Sequence, residues 1–282
     1  MLNKFIILIA VLAFASLACG FNIDLPQKAQ PGPEVMEAIS VPYPKADDVS
    51  LKLSFGAGEL VLSPGTSQLV DGTAAYNYEE LKPEVLINGG EVQVTMGDMG
   101  VNSLTNFNNL KNEWDFKLGG QPMNLRIESG AYDGTFEFGG LALTSLAVKD
   151  GAADVGLAFS EPNQAEMSVF SYSTGASNVK MKGLANANFS IFDFSAGAGD
   201  YTLDFSGELQ RDASIKIETG LSNLIIIVPE GVNAVVTVQS GLSNVNAGSG
   251  WSQNGSAYQQ TGEGHMLTFV IEMGAGNLTL SK

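Results

Sequence analysis

A chain of 282 residues, 44% of them apolar and only 16% charged, is long enough to bury a sizeable core and too apolar for a disordered tail. Its 30 acids outnumber its 14 bases, for a formal net charge of −16, with no basic cluster; this excludes a nucleic-acid binder and offers an anionic membrane surface nothing to attract. Glycine at about 12% (33 of 282), against a usual value near 7%, with apolar residues alternating between the glycines, points to an all-β chain.

The first element is an address. Lys4 precedes an apolar run over residues 5–17, too short to span a bilayer and typical of a signal-peptide core. The lone cysteine, Cys19, follows this run and has no cysteine with which to form an internal disulfide. Leu17-Ala18-Cys19-Gly20 resembles a bacterial lipobox; Ala18 fits the pattern, and Ser16 stands where leucine is usual. The resemblance implies cleavage before Cys19 and acylation of its side chain. The acyl chains would then supply a membrane attachment facing the extracytoplasmic side. Residues 1–19 are therefore expected to be a lipoprotein signal with its lipobox. Residues 20–48, with Pro26, Pro31, Pro33, Pro42 and Pro44, are expected to form an extended tether.

A repeat follows. Eight glycines, Gly56, Gly130, Gly151, Gly175, Gly197, Gly220, Gly241 and Gly274, each have apolar residues five and three places before them. Three places after them come Glu59, Asp133, Asp154, Asn178, Asp200, Asn223, Asn244 and Asn277. The next residue is apolar in seven of the eight copies, Gly134 being the exception. The unit reads as strand, Gly-x-x-Asx turn, strand, with glycine expected at positive φ and Asn or Asp bonding the backbone of its own turn. From Gly130 to Gly241 the steps are 21, 24, 22, 23 and 21 residues, with secondary breaks near mid-step at Gly139-Gly140, Pro162-Asn163, Gly183, Gly207 and Gly231. A coil of that length buries its apolar side only against stacked neighbours. The favoured architecture is a β-solenoid; an antiparallel β-sandwich of hairpins is the alternative. Residues 49–104 hold one clear copy and less regular strands, and are expected to be an N-terminal β domain or cap. The asparagine-rich stretch over residues 105–112 opens a repeat domain spanning 105–282.

The lipobox-like start, DDVSLKLSFGAGELVLSPG and the G-[AL]-x-[ND] turns together resemble the bacterial toast-rack proteins (DUF2154/DUF4097-like), which include adhesin-like proteins and the C-terminal domains of LiaF-like cell-wall stress proteins. The resemblance covers about residues 47–282 and brings no catalytic residues with it. It implies a β-solenoid on the outer face of a membrane, used for binding or sensing.

Catalytic chemistry has little to draw on. The single histidine, His265, lies in a glycine-rich stretch with no G-x-S-x-G elbow in the chain, and is expected to be solvated. One histidine, with no cysteine beside it, falls short of the ligand set a zinc site needs. Asp133, Asp154 and Asp200 fall at equivalent places and are weak candidates for Ca²⁺; half of the equivalent places are asparagine. The step from Gly241 to Gly274 is 33 residues, and its excess carries Trp251, Tyr258, Gln259 and His265. These either cap the end of the core or contact an envelope protein or glycan. The expectation is a lipid-anchored, non-enzymatic binding, adhesion or envelope-sensing protein without a cofactor, a monomer or weak homodimer. A structural scaffold is the alternative, and a carbohydrate-active enzyme the third reading.

Overall fold

The structure, a computed structural model, describes residues 31–97 and 110–282. The expected signal segment, Cys19 and most of the stretch over 105–112 lie outside the described residues. Among the described residues the chain is all-β, with two short 3₁₀ turns, Glu79–Leu81 and Leu184–Ala187, and no α-helix. No described helix is long and apolar enough to cross a membrane. The N-terminal strands are β1 (Val35–Val41), β2 (Ser50–Thr66), β3 (Val70–Tyr76), β4 (Pro83–Asn88), β5 (Glu91–Met96) and β6 (Asn112–Gly119). Next come β7 (Met123–Glu137), β8 (Leu143–Asp150), β9 (Ala152–Ala158), β10 (Met167–Lys182), β11 (Phe189–Asp204) and β12 (Ala213–Ile227). The chain ends with β13 (Val232–Ala247), β14 (Ser252–Asn254), β15 (Ala257–Gln260) and β16 (Glu263–Ser281).

The long strands bend because their burial pattern slips. In β11, Phe192, Phe194 and Ala196 are buried before Gly197, whereas Tyr201 and Leu203 are buried after it. Alternation on a straight strand keeps one parity on one side. An odd step across the glycine turns both legs toward the same core only if the backbone corners there. β10, β12 and β16 repeat the slip at Gly175, Gly220 and Gly274. The strand–turn–strand unit read from the sequence is thus, in most copies, one continuous strand with a corner.

These bent strands pair in parallel and in register: β2 with β7, β7 with β8 and β9, these with β10, then β11 and β12. The core lies between the two sets of legs. Aromatic rings thread it, with Phe170 4.7 Å from Phe192 and Phe205 4.9 Å from Phe269. Antiparallel pairing is confined to the ends. At the N-terminal end β6 lies parallel to the second leg of β2, followed outward by β3 and β1, while β5 and then β4 extend the first leg.

Two expectations are corrected, and a third feature was not foreseen. Val35–Val41 falls inside the supposed tether yet forms β1, because VMEAISV alternates between Pro33 and Pro42 and finds β3 as a partner. The division near residue 104 does not separate two cores: β2 pairs with both β6 and β7, and one apolar cluster runs from Ile39 to Leu280. Finally, chain order fails at the C-terminal end. β16 inserts between β12 and β13, and the hairpin of β14 and β15 pairs with the outer side of β13.

Candidate functional site

The corner glycines form a column. The amide of Gly151 donates to the carbonyl of Gly130 at 3.0 Å, and that of Gly175 to Gly151 at 3.1 Å. A Cβ on Gly151, Gly175, Gly220, Gly241 or Gly274 would lie 2.5–2.9 Å from the carbonyl oxygen of a neighbouring glycine in the stack, and one on Gly130 or Gly197 closer still. None of the eight has a positive φ, so close approach rather than left-handed backbone excludes a side chain. Glycine is required at these corners, as expected, but for contact and not for positive φ.

Three residues on, a second column faces solvent. Glu59, Asp133, Asp154, Asn178, Asp200, Asn223, Asn277 and Asn244 are register partners in that order. All are exposed. At the usual strand spacing they extend over about 34 Å. Asn277 Nδ2 donates to Asn223 Oδ1 at 2.9 Å, and Asn223 Nδ2 donates to Asp200 Oδ1 at 2.7 Å. No residue of this column is left-handed; among the described non-glycine residues only Asn188 has positive φ. Asparagine stands in this column because an amide both donates and accepts along a ladder. At its acidic end the column borders a shallow groove of about 530 Å³, lined by Ala57, Ala131, Tyr132, Ala153, Asp154 and Asn178 among others. Of the calcium candidates, Asp133 and Asp154 are neighbours and Asn178 separates them from Asp200. No group of three or more metal-ligating side chains occurs among the described residues.

Inside the same corner lies a cluster that sequence reasoning missed. Asp150 is buried; Tyr172 Oη donates to its Oδ2 at 2.6 Å, Tyr132 Oη at 3.4 Å, and Ser177 Oγ donates to its Oδ1 at 3.4 Å. Burial, and then the negative charge of Asp150, push the Tyr132 phenol far up; Tyr172 moves the same way, from burial first. Tyr201, buried nearby, is pushed up to about 12 for the same two reasons. The available signal was Asp150 itself, which immediately precedes a column glycine where the next rungs have Thr174, Ala196 and Thr219. The cluster holds the corner together from within and presents no carboxylate to solvent.

The last loop divides. Tyr258 is buried and Trp251 packs half-buried against the core, so both aromatics face inward from the closing hairpin. Gln260 is buried, and its Nε2 donates to the Pro229 carbonyl at 2.8 Å. Gln259 and His265 are exposed, with His265 Nδ1 3.3 Å from Asp212 Oδ1. The structure therefore does not gather Trp251, Tyr258, Gln259 and His265 into one outward surface.

The family model described as the N-terminal domain of toast_rack, DUF2154, matches residues 30–182, from just before β1 to the end of β10. The match crosses the division expected near residue 104. A solved structure described as a "putative cell adhesion protein" from Clostridium sporogenes ATCC 15579 is similar over 88% of this chain and 99% of its own, at 20% identity and a TM-score of 0.49. Another, described as a "putative adhesin" from Bacteroides fragilis NCTC 9343, covers 90% of this chain and 99% of its own, at 9% identity and a TM-score of 0.37. No curated protein matches the chain.

Proposed function

This chain belongs to the toast-rack family, and on that premise we propose that it is a lipid-anchored, extracytoplasmic protein that binds or adheres at the cell envelope without catalysing a reaction. Its body is a β-solenoid of about eight rungs, and its attachment is through Cys19. The observation that carries the reading is the exposed column from Glu59 to Asn244, a regular file of carboxylates and amides on a parallel stack. A surface repeating at the strand spacing suits a ligand that is itself extended and repetitive, such as a glycan strand, or a partner protein laid along several rungs.

The test uses cells expressing the chain with an alkyne fatty acid in the medium. Acylation and membrane retention, both lost in Cys19→Ser, support the anchor; label-free release into the medium overturns it. In parallel, the chain is used to capture envelope components, with Asp133→Ala/Asp154→Ala/Asn178→Ala as the comparison. A glycan or protein retained by the first and lost by the second supports the column as the binding surface. Equal retention overturns it.

A structural scaffold is the second reading. The inward packing of Trp251 and Tyr258 favours it, because the last loop then closes the core and offers no aromatic platform.

A further inference from the structure

At the N-terminal end of the stack, the first-leg sheet stops at β4, whose partner among the described residues is β5 alone. Its register sets Val85 opposite Val94 and Ile87 opposite Val92. Val92 and Val94 are fully buried, so Val85 and Ile87 continue the core-facing side of the sheet. They are nevertheless 37% and 58% exposed, and Leu86, pointing to the other side, is 59% exposed. A six-residue edge strand with three consecutive exposed aliphatic side chains is what folded proteins ordinarily shorten, twist or protect with lysine. Here the charge around it is acidic instead. Glu79, Glu80, Glu84 and Glu91 are exposed, and the one base in this stretch, Lys82, lies 3.7 Å from Glu37.

We propose that β4 is a docking edge for an extended strand of a partner protein in which apolar and basic residues alternate. The chemistry follows from period two. A strand added beside β4 places every second side chain over Val85 and Ile87, where only an apolar residue continues the core. The intervening side chains share a side with Glu84 and Leu86, where the aliphatic stem of a lysine or arginine covers Leu86, its charge meets the acidic rim, and acids are repelled. A second copy of this chain would bring Glu84 and its neighbours against a like-charged rim. An anionic lipid surface would meet the same repulsion. The inference is independent of the anchor and of the exposed column.

The experiment uses the purified chain and a synthetic nonapeptide alternating lysine with valine; its glutamate–valine counterpart is the control. Calorimetry is expected to detect the basic peptide and not the acidic one, with affinity falling as salt is raised. Hydrogen exchange is expected to slow at residues 84–88 and not at 242–247 on the opposite end. Val85→Thr/Ile87→Thr, which keeps a strand-forming sequence, and Glu84→Gln/Glu91→Gln are each expected to weaken binding about tenfold, or 1.4 kcal/mol. An unchanged melting temperature shows that these exposed changes leave the fold intact. Equal binding of both peptides, protection elsewhere, or indifference to both variants overturns the proposal. So does sedimentation showing self-association that Val85→Thr/Ile87→Thr abolishes, which makes a second copy the occupant. Flotation with phosphatidylglycerol vesicles, lost in that variant, assigns the edge to lipid and overturns it equally.

Discussion

Each rung has two corners, and glycine serves them differently. At the near corner the seven column glycines from Gly130 to Gly274 are each excluded from bearing a side chain by the carbonyl of the adjacent rung. At the far corner Gly231 has φ +86 and open space where a side chain would stand, so its constraint is the left-handed backbone alone. Gly183 combines the two, with φ +69 and the Phe159 carbonyl in its way. The column glycines therefore report stacking distance, and Gly231 reports backbone twist.

The sharpest way to break this comparison is Gly197→Ala. The added methyl meets the Gly175 carbonyl, and in-register pairing leaves the rungs no room to part. A loss of about 3 kcal/mol is expected, a fall in Tm of roughly 6–12 °C in a thermal scan. Asparagine at this position is expected to do no better than alanine. A loss below about 1 kcal/mol would show that the column yields and that close approach is not its reason.

The near corner also holds the buried phenols, and alkaline pH probes it selectively. The folded pKa of Tyr201 is raised to about 12 by burial and then by Asp150, and those of Tyr132 and Tyr172 are raised as well, by burial first. A raised tyrosine pKa means that the folded state favours the neutral phenol. That stability is complete below the ordinary value of about 10 and is lost as pH climbs from there toward 12. Denaturant midpoints at rising pH should fall in that window. Asp150→Ala, which leaves the Tyr172 hydroxyl without its acceptor, should cost about 2 kcal/mol already at neutral pH. Midpoints indifferent to pH up to 12 would contradict the buried network.

At the far corner the effects shrink. Gly231→Ala is expected to cost about 1 kcal/mol, and Gly231→Asn less, because asparagine tolerates the left-handed region. Equal losses from both would point to a hidden contact. Smallest is the outer face of the first legs. There, hydrogen bonds from Lys52 and then Arg126 lower the Glu128 carboxyl pKa. A depressed carboxylate pKa contributes stability above its unfolded value, lost as pH falls through the lowered folded one. The Lys52 and Glu128 side chains are 30% exposed, so solvent screens the pair. Lys52→Met should flatten the acid limb of stability by no more than about 0.5 kcal/mol, and less in high salt. A larger change would mean that the pair is shielded.

The corner itself was legible in the sequence. In seven of the eight copies apolar residues stand three before and four after the glycine, seven apart, and an odd separation cannot stay on one side of a straight strand. The alternation of VMEAISV was equally present, and proline density obscured it. Other features had no local signal. Whether Gly175 is needed for φ or for contact depends on Gly151, 24 residues upstream, and Asn223 reads as a turn residue until Asp200 and Asn277 are placed beside it. Trp251 and Tyr258 have the composition of a contact loop, and only the hairpin's pairing with β13 turns them inward. The position of β16 is the extreme case, since it is set by a choice among edges.

That choice has a consequence for synthesis. A chain made from its N-terminus exposes the upper edge of β12 while β13 emerges, and both carry Gly-Leu-Ser-Asn, 21 residues apart. The final strand is still unmade at that moment. β13 must either wait or pair with β12 in the register that β16 will later claim on each of them. The last 19-residue strand thus acts as a keystone inserted after its flanking stones are cut. A message truncated before residue 263 encodes the closing hairpin and almost every rung, and lacks the strand that joins β12 to β13.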